Sequence, residues 1–366
     1  MSAPEAPPRT AVSWSGDTVV MAWCGPGDHG VTVFGRGLFD SATALGFGGT
    51  SLTTNTPADL IDLVDRVPST TRLLHLQVND WLFADADLTA RERLLAFASR
   101  LRDRGVALSV TLHDLPHPAV SDELYRRRVA TYAAVADVAA GIVVSSRHEA
   151  RLLAAAVRAA DPTARVPAPT VIPLPVVAGP VGGDVPSRVG DPPAVGVFGF
   201  LYPGKGHAEV IDELAGIDPA VRVLAVGRAS TGHEDLPVAL SDRAWAHGIA
   251  FTSTGFVPDA DLDPVLRSVD VPVAPAAEVS ASGSINSWIG AGRRPLTLAG
   301  AYTREFADRH PGAVQLYAPG ELRARVAAAL AEPSSTWLPA GAVVGGGPEV
   351  VARRYLDWLQ AVARRC

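Results

Sequence analysis

Val195-Gly-Val-Phe-Gly-Phe-Leu-Tyr-Pro-Gly-Lys-Gly-His207 is the stretch on which the reading of this chain turns. Val195, Val197 and Phe198 predict a buried strand, Gly199 to Gly206 a tight loop, and His207 to Leu214 the helix after it. A glycine-rich turn between a strand and a helix lets backbone N–H groups approach an anion, and Lys205 adds a positive charge. The expectation is a phosphate-facing loop at the mouth of a nucleotide-binding-type domain. Gly199-x-x-x-x-Gly204-Lys205 also fits the start of a P-loop, but Gly206 stands where that motif needs a Mg²⁺-holding hydroxyl. Pro203 removes one cradle N–H as well. Both speak against an NTPase. A Gly-Lys surface turn without a ligand is the bland alternative.

The segment preceding this stretch, Gly179 to Pro193, holds four Pro and four Gly and reads as a linker. Strands and helices alternate on both sides of it. Before it, strands are expected at Thr18–Trp23, Leu73–Val78, Val106–Leu112, Gly141–Ser145 and Thr170–Leu174, with helices at 31–45, 89–104, 122–140 and 148–160. After it, strands are expected at Val195–Phe198, Val221–Val226, Ile249–Ser253, Val271–Ala274, Pro295–Leu298 and Val314–Tyr317. Such alternation implies an α/β protein with parallel, doubly wound sheets. A terminal amphipathic helix is expected over 349–365, with Val351, Tyr355, Trp358, Leu359 and Val362 on one stripe.

Composition sets limits on function. The 366 residues suffice for two domains, and the 48% hydrophobic content suffices for their cores. A net charge of -6 with lysine nearly absent argues against nucleic acid as a partner. Cys24 and Cys366 suggest no disulfide framework. Residues 1–17 lack the pattern of a signal peptide, and the apolar run Val129–Val144 is too short to span a bilayer. A cytoplasmic setting is the expectation.

Four groups of residues could carry chemistry. Glu278-Val-Ser-Ala-Ser-Gly-Ser-Ile-Asn-Ser-Trp288 follows a strand, and Ser282, Gly283 and Ser284 open a helix there. Small residues at a helix N-terminus present N–H groups to an anion, though Ser is also a good plain N-cap. Glu278 could accept hydrogen bonds from sugar hydroxyls, or be a solvated loop acid. Asn286 could meet a ribose hydroxyl or face solvent. His113-Asp114 closes a strand at the end where open α/β sheets place ligands, and His75, Gln77, Asn79 and Asp80 lie near the end of the preceding one. They are candidate acceptor-binding groups or turn chemistry. Arg126, Arg127 and Arg128 read as a solvated helix face, with contact to an anionic membrane as the alternative. No metal-ligand spacing and no G-x-S-x-G elbow is present.

With these motifs in hand, the chain resembles a family 4 glycosyltransferase of the GT-B fold. Four features carry the likeness: Gly27-Asp-His-Gly-Val31, the strand end at His113, the loop from Gly199 to Gly206, and the Glu278 segment followed by Gly290-Ala-Gly-Arg-Arg-Pro295. The resemblance implies two Rossmann-like domains facing each other across a cleft. Residues 1–185 would form the acceptor side and 186–348 the nucleotide-sugar side, with 349–366 packing back on the first. It implies His113, Lys205 and Glu278 as catalytic residues. Gly30, Gly199, Ser282, Gly283, Ser284, Ile285, Asn286 and Val257 would bind the donor. It further implies a nucleotide-diphosphate sugar as donor, a hydroxyl-bearing acceptor, retention at the anomeric carbon and no metal or other cofactor. Phe200 stands where the family usually has Arg, and Asn286 where its paired-acid motif usually ends in Glu. An inactive GT-B binding protein and a GT-B nucleotide-sugar epimerase are the alternatives.

Overall fold

Strand segments whose side chains are apolar on both faces need cover on both faces, and helices supply it here twice over. The computed structural model describes residues 18–118, 121–179, 191–340, 342 and 344–366. Residues 1–17, most of the expected linker and the expected domain boundary lie outside the described residues.

The first sheet contains β1 (Val19–Cys24), β2 (Thr50–Thr54), β3 (Leu73–Val78), β4 (Ala107–Leu112), β5 (Gly141–Val144) and β6 (Thr170–Val171). Its order is β2-β1-β3-β4-β5-β6, all parallel. The helices are α1 (Gly30–Ala44), α2 (Leu60–Leu63), α3 (Ala90–Asp103), α4 (Asp122–Val138) and α5 (Arg147–Ala160). The second sheet contains β7 (Ala194–Phe198), β8 (Arg222–Val226), β9 (Ala250–Ser253), β10 (Val271–Ala274), β11 (Leu296–Leu298) and β12 (Gln315–Tyr317). Its order is β12-β11-β10-β7-β8-β9, again all parallel. Its helices are α6 (His207–Glu213), α7 (Leu236–Ala246), α8 (Asp259–Arg267), α9 (Gly283–Gly290), α10 (Ala301–Arg309) and α11 (Leu322–Ala331). The expected fold class, α/β with two doubly wound sheets, is what the structure shows.

The terminal helix α12 (Pro348–Ala363) buries Val351, Ala352, Tyr355, Leu359 and Val362. They pack against Val19, Met21, Leu73 and Val143 of the first sheet. A buried polar chain ties the same helix down: His75 Nδ1 meets Ser109 Oγ at 3.1 Å, His75 Nε2 meets Thr111 Oγ1 at 2.9 Å, and Thr111 Oγ1 meets the Tyr355 hydroxyl at 3.1 Å. His75 therefore serves packing under α12 rather than an acceptor, and burial lowers its pKa to about 3.

In each sheet the strand order reverses at one point, and there the loops at the carboxyl ends diverge to leave a crevice. In the first sheet that point lies between β1 and β3. In the second it lies between β7 and β10, which brings the loop after β7 beside the start of α9.

Candidate functional site

The loop after β7 owes its shape to glycines with positive φ: Gly199 at +118°, Gly204 at +90° and Gly206 at +100°. Gly199 is needed for space as well, because a Cβ there would sit 3.0 Å from Lys205 Nζ. At Gly206 it would sit 2.6 Å from Pro275. The loop folds Lys205 back across its own start, and Lys205 Nζ donates to Ser284 Oγ at 3.1 Å. The ammonium and the tip of α9 are thus in direct contact.

At that tip, Ser282 is the N-cap and its Oγ accepts from the Ile285 N–H at 3.1 Å. The Ser282 N–H lies 3.3 Å from the Tyr302 hydroxyl. The N–H groups of Ser282 and Ile285 are therefore already engaged. Those of Gly283 and Ser284 have no hydrogen-bond partner among the described residues. Lys205 is half-buried, and no carboxylate pairs with it among the described residues. Burial lowers its pKa to about 8. A desolvated cation beside two open helix-tip amides has the chemistry to hold an anion.

Two other expected donor residues make contacts within the fold. Asn286 Nδ2 donates to Pro175 O at 3.1 Å, pinning the chain that leaves β6. Val257 packs beside Val226, Leu266, Val269 and Trp288. Gly30 is the first residue of α1, with nothing within 4 Å of a Cβ built there. The α1 tip is closed by its own cap, since His29 Nδ1 accepts from the Val31 N–H at 3.2 Å.

On the first lobe, His113 is 6% exposed, and its Nε2 meets Gln77 Oε1 at 2.9 Å. Burial lowers its pKa to about 3, so the ring is neutral at physiological pH. Of the basic run, Arg126 and Arg127 are exposed, as expected of a solvated face, and Arg128 turns inward. Arg126 Nε donates to Asp122 O, Arg127 lies 5.7 Å over the Trp81 ring, and Arg128 is 7% exposed. The Arg128 guanidinium forks onto Asp80, with Nε and Nη2 at 3.0–3.1 Å from its carboxylate. A buried cation must be paired, and Asp80 is the partner that draws it inward.

Contacts between lobes line the cleft. His117 Nε2 meets Glu278 Oε2 at 2.6 Å, so the expected sugar-binding acid is held by a histidine of the other lobe. Ser146 Oγ donates to Ser280 O, and Ser280 Oγ donates to Glu149 Oε1, both at 2.9 Å. Burial pushes the Glu149 pKa up to about 8. Glu305 of α10 accepts from the Arg147 and His148 N–H groups and so caps α5 from across the seam. Asp28 and Arg228 pair at 2.5 Å, and the Arg228 guanidinium also lies 5.4 Å over Phe200.

No protein-family model and no curated protein matches the chain. Solved structures do match. HepE of Anabaena, crystallised with UDP and glucose, superimposes with a TM-score of 0.64 at 17% identity, over 94% of this chain and 98% of that one. Sucrose-phosphate synthase of Thermosynechococcus elongatus gives 0.65 at 16% identity, over 95% and 97%. The lipopolysaccharide outer core galactosyltransferase WaaB gives 0.58 at 12% identity, over 94% and 99%.

The chain has the GT-B fold.

Within the GT-B frame, the structure brings Lys205, Gly199, Gly283 and Ser284 together at the second switch point and sets Glu278 opposite His117. Sequence reasoning passed over His117, Glu149, Glu305, Ser280 and the Asp28–Arg228 pair. A histidine four residues after His113 was the one local signal available.

Proposed function

We propose that this protein is a glycosyltransferase moving a sugar from a nucleotide-diphosphate donor to an acceptor hydroxyl. The observation that carries the proposal is the 3.1 Å contact between Lys205 Nζ and Ser284 Oγ, which sets a cation beside two open amides. Lys205 is also the single lysine of the chain; the other 31 of its 32 basic residues are arginine. HepE has been crystallised with UDP-glucose, which favours a uridine diphosphate sugar as the first donor to test.

In the proposed reaction the diphosphate rests on Lys205 and the Gly283 and Ser284 amides. Glu278, oriented by His117, accepts from hydroxyls of the donor sugar. Neutral His113 lies beside the transferred sugar. The acceptor oxygen attacks the anomeric carbon from the face the diphosphate leaves, so configuration is retained. As the C–O bond to the diphosphate breaks, its electron pair stays on the diphosphate, and the acceptor proton passes to the departing phosphate oxygen. Lys205 and the amides meet the charge that develops, the kind of preorganised electrostatics that dominates many enzymes. No metal enters this scheme.

The single lysine makes a direct test. An amine-reactive reagent should add at Lys205, and UDP should block that addition. Lys205→Ala should lower kcat/KM for UDP-sugar turnover by about 10²–10³-fold. Unprotected labelling together with unchanged turnover in Lys205→Ala would remove the donor site from this cavity.

A further inference from the structure

Asp114 stands apart from every other residue of the first lobe. It is the sole non-glycine with positive φ among the described residues, at +48°. Such a conformation persists only when its surroundings over-determine it, and it concentrates at functional sites. Here several groups hold it. Arg128 Nη2 donates to the Asp114 carbonyl, and the Tyr132 hydroxyl donates to the preceding His113 carbonyl at 2.5 Å. Asn79 Nδ2 donates to Asp114 Oδ2 at 2.5 Å. The buried Arg128–Asp80 pair therefore steadies the peptide that aims this carboxylate.

Asp114 lies just past β4, at the carboxyl end of the first sheet. Solvent reaches Asp114, yet the surrounding protein raises its pKa by desolvation, as expected for a group lining a crevice. The same holds for Tyr202 of the loop after β7, which is 42% exposed and whose pKa is raised by burial first and by Asp114 second. Both groups belong to loops at the carboxyl ends of their sheets, after β4 and after β7. No arginine or lysine side chain forms an ion pair with the Asp114 carboxylate among the described residues.

Trp81 shares the same supports. Asn79 Oδ1 accepts from the Trp81 N–H at 3.0 Å while its Nδ2 holds Asp114. Arg127, next to Arg128 on α4, lies over the indole, and Trp81 is still 57% exposed. An open indole costs solvation unless something apolar covers it. A carboxylate that accepts hydrogen bonds, tied through Asn79 to a residue whose aromatic face packs on C–H groups, matches one ligand chemistry, a sugar ring.

We propose that Asp114 and Trp81 form an acceptor subsite for a carbohydrate, with Trp81 stacking on the ring and the Asp114 carboxylate accepting from a ring hydroxyl. The proposal rests on the transferase reading and narrows it: the acceptor is a saccharide, held through a hydroxyl other than the attacking one. Lipid alcohols and flat aromatic alcohols lack the row of hydroxyls that the carboxylate needs.

The test uses the full chain and saturation-transfer NMR, with and without UDP. The probes are methyl glycosides and disaccharides of common hexoses, with phenolic and long-chain alcohols as controls. At least one saccharide should bind. Trp81→Ala should weaken it about tenfold, the loss of one aromatic contact. Asp114→Asn should weaken it about 10–100-fold, the loss of a charge-assisted hydrogen bond. Asn tolerates the +48° backbone and Trp81 is exposed, so both variants should fold. Neither should alter UDP affinity, because neither touches Lys205 or the α9 tip. Saccharide binding that survives both substitutions, binding of the control alcohols instead, or no saccharide signal at all would overturn the proposal. Failure of the wild type to bind UDP would strike the donor reading alone, since saccharide binding is read separately.

Discussion

After β1 the chain turns through Gly25–His29 into α1; after β7 it turns through Gly199–Gly206 into α6. Both loops are glycine-rich and both lie at the carboxyl end of a strand flanking a switch point. In the first lobe the chain satisfies itself: His29 caps α1, and Asp28 is drawn into a pair with Arg228. In the second lobe the groups stay open. Gly206 caps α6 with no side chain, and among the described residues the Gly283 and Ser284 amides are free and Lys205 has no acid beside it. The first lobe instead presents a carboxylate, Asp114, on a strained peptide. One architecture thus carries opposite charges on its two lobes, an ammonium at Lys205 and a carboxylate at Asp114. What decides between them is which polar groups the local chain leaves unsatisfied, and a glycine loop by itself does not.

That contrast can be tested at three strengths. The largest effect concerns the charge on Lys205. Burial lowers its pKa to about 8, so the ammonium is charged below that pH and neutral above it. UDP affinity should be flat up to about pH 8 and then fall about tenfold per pH unit, because a bound diphosphate favours the charged form. Lys205→Arg should abolish the fall. Calorimetry over that range checks it, and a flat wild-type profile would detach Lys205 from the diphosphate.

Gly199→Ala comes next. The +118° backbone and the 3.0 Å approach of Lys205 Nζ both oppose a Cβ. Stability should drop by about 1–3 kcal/mol in denaturant titrations. Nucleotide affinity should drop with it, since Lys205 must move. The smallest effect is expected at His29→Ala, which removes the α1 cap. It should cost about 1 kcal/mol and leave UDP affinity unchanged. A loss of UDP affinity there would mean that the first glycine loop also serves the donor.

Much of the fold was legible in the chain. The bounds expected for the strands at Leu73–Val78 and Val271–Ala274 match β3 and β10, because short apolar runs between turn residues leave little ambiguity. The strand β2 was missed: Thr50-Ser-Leu-Thr-Thr54 is polar, and it becomes a strand only by pairing with β1. The donor loop was legible since its glycines and lysine are contiguous. Arg128 alone departs from the solvated face expected of the run on α4, because it takes its partner from Asp80, 48 residues earlier.

The seam between lobes was out of reach for the same reason. Ser146 meets Ser280 across 134 residues, and Arg228 meets Asp28 across 200. Such pairs carry no periodicity and no motif, and a lone Ser or Asp reads as solvated until a partner is folded against it.

What the amino-acid order determined alone was local: alternating apolar segments that must become covered strands, and glycines that must turn where no side chain fits. Which of two similar loops stays open to an anion was settled only in three dimensions. Hydrogen-bond satisfaction depends on every group within reach, and the fold, not the neighbouring residue, brings those groups together.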